Sequence, residues 1–281
     1  MFMWDILQYS FVQNALLASV LVSVLCGIIG TYIVARRFVF IGGGIAHSSL
    51  GGVGMGAYYG FSPLLGAMLF ALGSAVAIKG LSHRREVRED SAIALLWTIG
   101  MSVGILFSYL SPGFMPELQS YLFGSILTVT ASDLRLLLFL TLLVVAVFTV
   151  FYHPILSVAF DYEYARSQRL PVDTIEYLLV TLVALSIVCS LRLVGIVMVI
   201  ALLSIPQMTA NLFTSKFKHM VFLSMALCFV GCLGGLSLSF FLNVPSGASI
   251  IFVSVLVYGL CRAIKPIFCV LKLEKKTSHS C

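Results

Sequence analysis

The sequence predicts an all-α, polytopic membrane protein with about nine transmembrane helices plus short coupling and outer-surface helices. Three observations carry that prediction. Of the 281 residues, 60% are hydrophobic and 10% charged, whereas roughly a quarter of a soluble domain is charged. Apolar runs of on the order of 20 residues, enough to cross a bilayer, recur along the whole chain. The 17 Lys and Arg residues collect between those runs, so the formal charge of +6 sets topology rather than marking a nucleic-acid surface.

Nine spans can be drawn, at 11–34, 43–60, 63–80, 91–110, 134–152, 173–190, 194–213, 220–242 and 247–264. With the N-terminus outside, Arg36, Arg37, Lys79, Arg84, Arg85, Arg88, Arg166, Arg169, Lys216, Lys218, Arg262, Lys265, Lys272, Lys275 and Lys276 are cytoplasmic. Only Arg135 and Arg192 remain outside, a strong positive-inside bias. An odd number of spans then leaves a Lys-rich tail, 265–281, in the cytoplasm. The start, Met1-Phe2-Met3-Trp4-Asp5, lacks the basic region of a cleavable signal, so the first span is expected to stay in the membrane. The whole chain, 1–281, reads as a single transmembrane domain.

The second span is the most unusual. Gly44, Ser48, Gly52, Gly56 and Gly60 recur every four residues and give one helix face almost no side chains. Such a face lets another membrane helix approach backbone to backbone. His47 stands beside it, with Gly43, Gly51 and Gly54 as its neighbours on the helix surface. An imidazole at this depth is either bonded to a neighbouring helix or is a ligand on a path through the membrane, where ionisable groups mark function.

Three connections carry more polarity than a turn requires. Ser82–Asp90 is a charged cytoplasmic loop that ends in Glu89 and Asp90, acids suited to the positive end of the fourth helix and to its free N–H groups. Ser111–Leu118 is an external loop with two prolines, followed by a short outer helix expected at Tyr121–Gly124. Between the fifth and sixth spans, residues 160–172 mix aromatics, acids and arginines over about three helical turns and end at Pro171. A simple reversal is much shorter. The near-balanced charge of this segment favours docking to a protein over lying on lipid.

In the later spans, Pro206 is expected to kink the seventh helix and free a carbonyl. Gly231, Gly235, Ser239 and Asn243 again step by four in the eighth, a smooth packing face. Cys228 and Cys232 stand one turn apart, a spacing that could hold a soft metal but that suits small packing residues equally. None of the seven cysteines belongs to a Cys-x-x-Cys pair.

The chain has no phosphate loop of the Gly-x4-Gly-Lys-Ser/Thr type, and acids are scarce inside its spans, which disfavours a carboxylate proton relay. A polytopic protein with a docking segment and no such means of coupling takes its energy from another subunit. The rival classes are a secondary transporter or channel working without nucleotide, an intramembrane enzyme, and a structural protein. An enzyme needs a cluster of catalytic groups at membrane depth, where only His47 can be placed. A structural protein has no use for that histidine.

Four stretches carry a resemblance that runs from about Phe11 to Arg262. They are Arg37–Gly52; Glu89-Asp-Ser-Ala-Ile93; Pro112-Gly113 with Ser120-Tyr-Leu-Phe-Gly124; and Phe160-Asp-x-Glu-x-Ala-Arg166 with Val194-Gly-Ile196 and Ala201-Leu-Leu-Ser-Ile-Pro206. Pro245-Ser-Gly-Ala248 fits as well. In this order they resemble the membrane-permease family of ABC-type metal importers, the ABC-3 transporter family, whose members carry zinc, manganese or iron. The resemblance implies a permease homodimer without its own ATPase site, an ATP-binding subunit on each copy, and an extracytoplasmic protein that delivers the ion. It implies that a helix at 157–170 couples ATP use to the gate, with Asp161, Glu163, Arg166 and Pro171 in the contact. The family reads Gly-Asp-Ala-x-Ser/Ala-His where this chain has Gly42-Gly43-Gly44-Ile45-Ala46-His47. The histidine is kept, helped by Ser48, a carbonyl or a second copy's histidine, while Gly43 replaces the acid. Because hard manganese prefers oxygen ligands, the loss favours zinc or iron. Gly43, Gly44, Gly52, Gly56, Pro206 and Asn243 are then candidates for gating and helix packing.

Overall fold

The computed structural model describes residues 9–83, 87–111, 124 and 126–277, and its described residues form helices and turns with no strand. Arg84, Arg85, most of the external loop and the outer helix expected at Tyr121–Gly124, Gly124 itself excepted, lie outside the described residues. The helices are α1 (Ser10–Ala35), α2 (Val39–Tyr59), α3 (Pro63–His83), α4 (Glu89–Leu110), α5 (Ala131–Val150), α6 (Tyr152–Phe160), α7 (Tyr162–Ser167), α8 (Val172–Leu202), α9 (Ile205–Asn211), α10 (Phe217–Leu242) and α11 (Ser246–Thr277), with a 3₁₀ turn at Ile126–Thr128.

Eight stretches among the described residues are long and apolar enough to cross a membrane. The remaining expected span, the second, is α2, a helix of 21 residues whose glycines, serines and histidine keep it from qualifying by composition. It is instead closely enclosed: Ile41–Ala46 and Ser48–Gly54 are buried. A helix wrapped by protein needs no lipid-facing side chains, which explains its composition.

The sixth and seventh spans meet at Gly195 rather than at Ser190–Leu193. Gly195 has φ 76° and ψ 164°, which breaks the helical run of α8. Gly124, also left-handed at φ 57°, lies against the Val194–Gly195 backbone. Only glycine takes such angles and such proximity without strain. The chain then returns along α1: Glu176 meets Arg36 near one end of that helix, and after the turn Gln207 donates to the Cys26 carbonyl at 2.8 Å.

Pro206 lies outside any helix interior. Helix α8 ends at Leu202 and α9 begins at Ile205, with Pro206 in its first turn, where a missing N–H leaves nothing unsatisfied. The break expected from this proline thus falls just ahead of it. The buried Gln207 side chain takes up the Leu202 carbonyl at 3.1 Å.

Several helix ends follow their sequence. Thr130 and Asp133 form a reciprocal capping box at the start of α5. Gly60 and Asn243 end α2 and α10 in left-handed conformations, at φ 75° and φ 53°. Both therefore serve as caps and leave the packing faces of which they seemed members. Glu89 and Asp90 occupy the first turn of α4 but make no side-chain cap there, so their contribution is charge against the dipole alone.

Candidate functional site

The site is built on the glycines of α2. A Cβ on Gly52 would strike the Gly66 carbonyl, and one on Gly56 would come within 2.9 Å of the Pro63 Cα, so this pair of glycines receives α3. On another side, a Cβ on Gly51 would lie 2.9 Å from the Gly100 carbonyl and one on Gly54 2.5 Å from the Gly104 carbonyl. Gly100 and Gly104 in turn sit on the backbone at Ser48 and Leu50. Gly44 is closed by the Ile93 side chain. The four-residue stripe is thus divided between α3 and α4, two helices gripping α2 at backbone distance.

This grip sets the surroundings of His47. Its imidazole is half-buried and stacks on the Trp97 indole, with ring centroids 4.4 Å apart and planes 7° from parallel. The indole N–H donates to the Met101 sulfur at 2.9 Å. His47 Nδ1 is buried and has no hydrogen-bond partner. A buried polar atom left so is uncommon and points to a role or to a missing partner. Ser48 is buried, and its hydroxyl donates to the Ile45 carbonyl at 3.0 Å, so its proton is committed within its own helix. At Gly43, one turn before His47, an added Cβ would meet only Ile200 Cδ1 at 3.7 Å, an ordinary contact.

Among the described residues no three His, Cys, Asp or Glu side chains converge as a metal cluster. The arrangement can therefore offer a passing cation one imidazole, with room for one more ligand at Gly43. Cys26, Cys228 and Cys232 are buried free thiols. Gly231 and Gly235 receive Ser254 and Ile250 of α11, the packing expected of that stripe.

A second region lies where the chain leaves α5. The segment expected as one helix over 157–170 is two, α6 and α7, with a corner at Asp161 (φ −146°, ψ 93°). The Asp161 carboxylate accepts from the Tyr164 N–H at 2.9 Å and so caps α7. Glu163 and Arg166 are exposed, and Pro171 is the N-cap of α8. Arg166 and Pro171 line a cavity of about 170 Å³ with Tyr162, Leu170, Asp173 and Thr174.

One turn beyond that cavity stands a residue that the sequence reading passed over. Glu176 is 1% exposed and binds Arg36 Nη1 at 2.8 Å; Lys79 Nζ forms the second ion pair. Arg36 also donates to the Tyr32 hydroxyl at 3.2 Å. Three spans are tied at one end of the bundle by this cluster. Its signal in the sequence was an acid one turn inside an apolar run, behind Asp173; Trp97, the other residue overlooked, gave none.

Comparison with known proteins accords with this architecture. The family model for the ABC 3 transport family matches residues 8–264. The chain is 42% identical over 259 residues to an uncharacterized membrane protein of Synechocystis sp., covering 92% of each. It is 36% identical over 262 residues to the manganese transport system membrane protein MntC of Halalkalibacterium halodurans, covering 93% of this chain and 90% of that one. Its fold matches a chain of the solved PsaBC complex from Streptococcus pneumoniae with Fab, at a TM-score of 0.85, 27% identity, and 97% and 98% coverage. With its span pattern, its glycine-gripped second helix and a match over nearly its full length, the chain belongs to the ABC 3 transport family, as a multi-pass bacterial membrane permease of ABC-type metal transport.

Proposed function

We propose that this permease imports divalent transition-metal ions into the cytoplasm, with His47 as a ligand of the ion in transit and zinc as the ion it suits best. The observation that carries the reading is the buried, unpartnered Nδ1 of an imidazole held among glycines at membrane depth. A transit site must release what it binds, so few ligands and modest affinity suit it. Neutral imidazole is a good ligand for zinc and iron. Gly43 supplies no carboxylate, which weighs against manganese, while the name of the H. halodurans relative weighs toward it.

In this reading the working unit is a homodimer. A cytoplasmic ATP-binding subunit docks on each copy at the corner around Asp161, Glu163, Arg166 and Pro171, and an extracytoplasmic metal-binding protein delivers the ion. Two short helices and an adjacent cavity, where a plain reversal would suffice, support that docking site. The tail 265–281 lies on the same side.

The test is uptake of radioactive Zn²⁺ and Mn²⁺ by His47→Ala, normalised to inserted permease and measured with its ATP-binding subunit present. Uptake should be lost while assembly with the ATPase persists. Unchanged uptake per inserted molecule would assign His47 to packing. Ion movement in vesicles that lack any ATPase would favour the alternative of a secondary transporter or channel.

A further inference from the structure

A metal-binding histidine is ordinarily oriented by a hydrogen bond from its other ring nitrogen to a carboxylate, a carbonyl or water. Among the described residues no protein hydrogen bond orients the His47 ring, and its buried Nδ1 is without a partner. No acid stands one turn earlier, because position 43 is glycine. Yet the ring is held, face to face with Trp97 at 4.4 Å. We propose that Trp97 is the positioning residue of the His47 site: its stacked indole, anchored by Met101, replaces the hydrogen bond that would otherwise fix the imidazole. This rests on His47 being the transit ligand.

The geometry is suited to the task. Imidazole binds a metal in the plane of its ring, through a nitrogen lone pair, so an indole covering one face blocks no direction of coordination. A parallel contact also resists rotation of the ring about its Cβ–Cγ bond, since turning the imidazole would drive its edge into the indole. The indole is itself fixed at its other end, where its N–H donates to Met101 one turn along α4 at 2.9 Å. The spacing between the rings is set by backbone: Gly100 sits on the Ser48 backbone and Gly104 on Leu50, which holds α4 at one height and distance beside α2.

Three variants are tested with the ATP-binding subunit present, reading radioactive Zn²⁺ uptake per inserted permease. Trp97→Leu removes the stacked face and should lower uptake at limiting Zn²⁺ by about tenfold or more, as loss of an orienting partner does. Trp97→Phe keeps an aromatic face and should restore most of that loss. His47→Ala is the reference for a lost ligand. A second readout uses the tryptophan itself: the chain has two, so Trp4→Phe leaves Trp97 alone. Co²⁺, a paramagnetic ion with an affinity for imidazole, should quench its emission saturably, and His47→Ala should abolish the saturable part.

Wild-type uptake by Trp97→Leu alongside loss in His47→Ala would overturn the positioning role and leave the ligand standing. Normal uptake in His47→Ala would overturn the ligand and the positioning role together. If Trp97→Leu fails to insert, the other two readouts decide: Trp97→Phe behaving like His47→Ala, or Trp97 emission insensitive to Co²⁺ that competes with Zn²⁺ uptake, would each overturn the proposal.

Discussion

Arg36 and Glu176, 140 residues apart in the chain, meet through a 2.8 Å bond between Arg36 Nη1 and Glu176 Oε1. Glu176 is almost wholly enclosed at 1% exposure, while Arg36 retains 23% and the second cation, Lys79, 14%. The carboxylate is thus the desolvated member, and it is tolerated because two cations reach it. Removing one partner of a buried pair costs far more than removing the whole pair.

Glu176→Gln should therefore destabilise the permease by on the order of 3–5 kcal/mol, because it strands Arg36 and Lys79 against each other. Replacing all three residues by apolar ones of similar size should cost much less. Thermal unfolding in detergent, with the variants compared side by side, checks both. A single variant as stable as wild type would show that the cluster relaxes or hydrates freely.

Glycine substitutions should separate the gripped faces from the free ones. Gly52→Ala and Gly100→Ala place a methyl on opposing backbone, and overpacking of this kind costs about 1–3 kcal/mol, more where backbone must move. Gly73→Ala meets nothing within 4 Å and should be neutral or slightly stabilising, since alanine favours a helix. Yield of folded protein and thermal stability are the measurements.

At the proposed docking corner the two acids should behave differently. Asp161→Ala loses the cap of α7 and about 1 kcal/mol of local stability, so any loss of ATPase coupling there reflects an unwound corner. Asp161→Asn keeps an acceptor and should retain coupling. Glu163→Ala and Arg166→Ala alter exposed side chains and should weaken co-purification of the ATP-binding subunit without loss of folded permease. Normal co-purification by the Glu163/Arg166 double variant would remove both from the contact.

Gly43→Asp should raise Mn²⁺ uptake relative to Zn²⁺, because the Cβ has room beside Ile200 and a carboxylate adds a hard donor one turn from His47. Competition between the two radioactive ions reads the ratio directly. An unchanged ratio in a folded, transporting variant would separate position 43 from ion choice.

Single cysteines at Ser167 and Val244, both exposed, test the sidedness. In a cysteine-free background, an impermeant reagent applied to intact cells should label 244 and spare 167. Labelling at 167 from outside would reverse the topology and move the docking corner out of the cytoplasm.

The pattern of these expectations follows from what a linear sequence records. Span positions are local properties of hydropathy and charge, so most spans lay close to where the sequence placed them, though not the junctions inside them. The glycine face of α2 is local too. Glu176 was passed over because its partners, Arg36 and Lys79, lie in two other spans. Each alone reads as a topogenic charge, and only folding brings them to one carboxylate. Trp97 was missed for the same reason: an aromatic in an apolar helix is ordinary until a histidine of another helix is found against its face. The turn at Gly195 escaped because Arg192 interrupts the apolar run three residues earlier and drew the boundary there, leaving the left-handed angles of one glycine as the marker of the true turn.

The glycine contacts among α2, α3 and α4 have a mechanical consequence. Side chains that interdigitate can repack as helices slide, but two backbones in direct contact have nothing to rearrange. A shift of α4 by one turn would put one of Gly100 and Gly104 in the other's place and press Leu96 or Ser108 onto the backbone at Ser48 or Leu50. These helices can tilt or translate only as one solid block, and the block carries both His47 and Trp97. A transport cycle of the kind proposed above would open around that block, with His47 and Trp97 kept face to face.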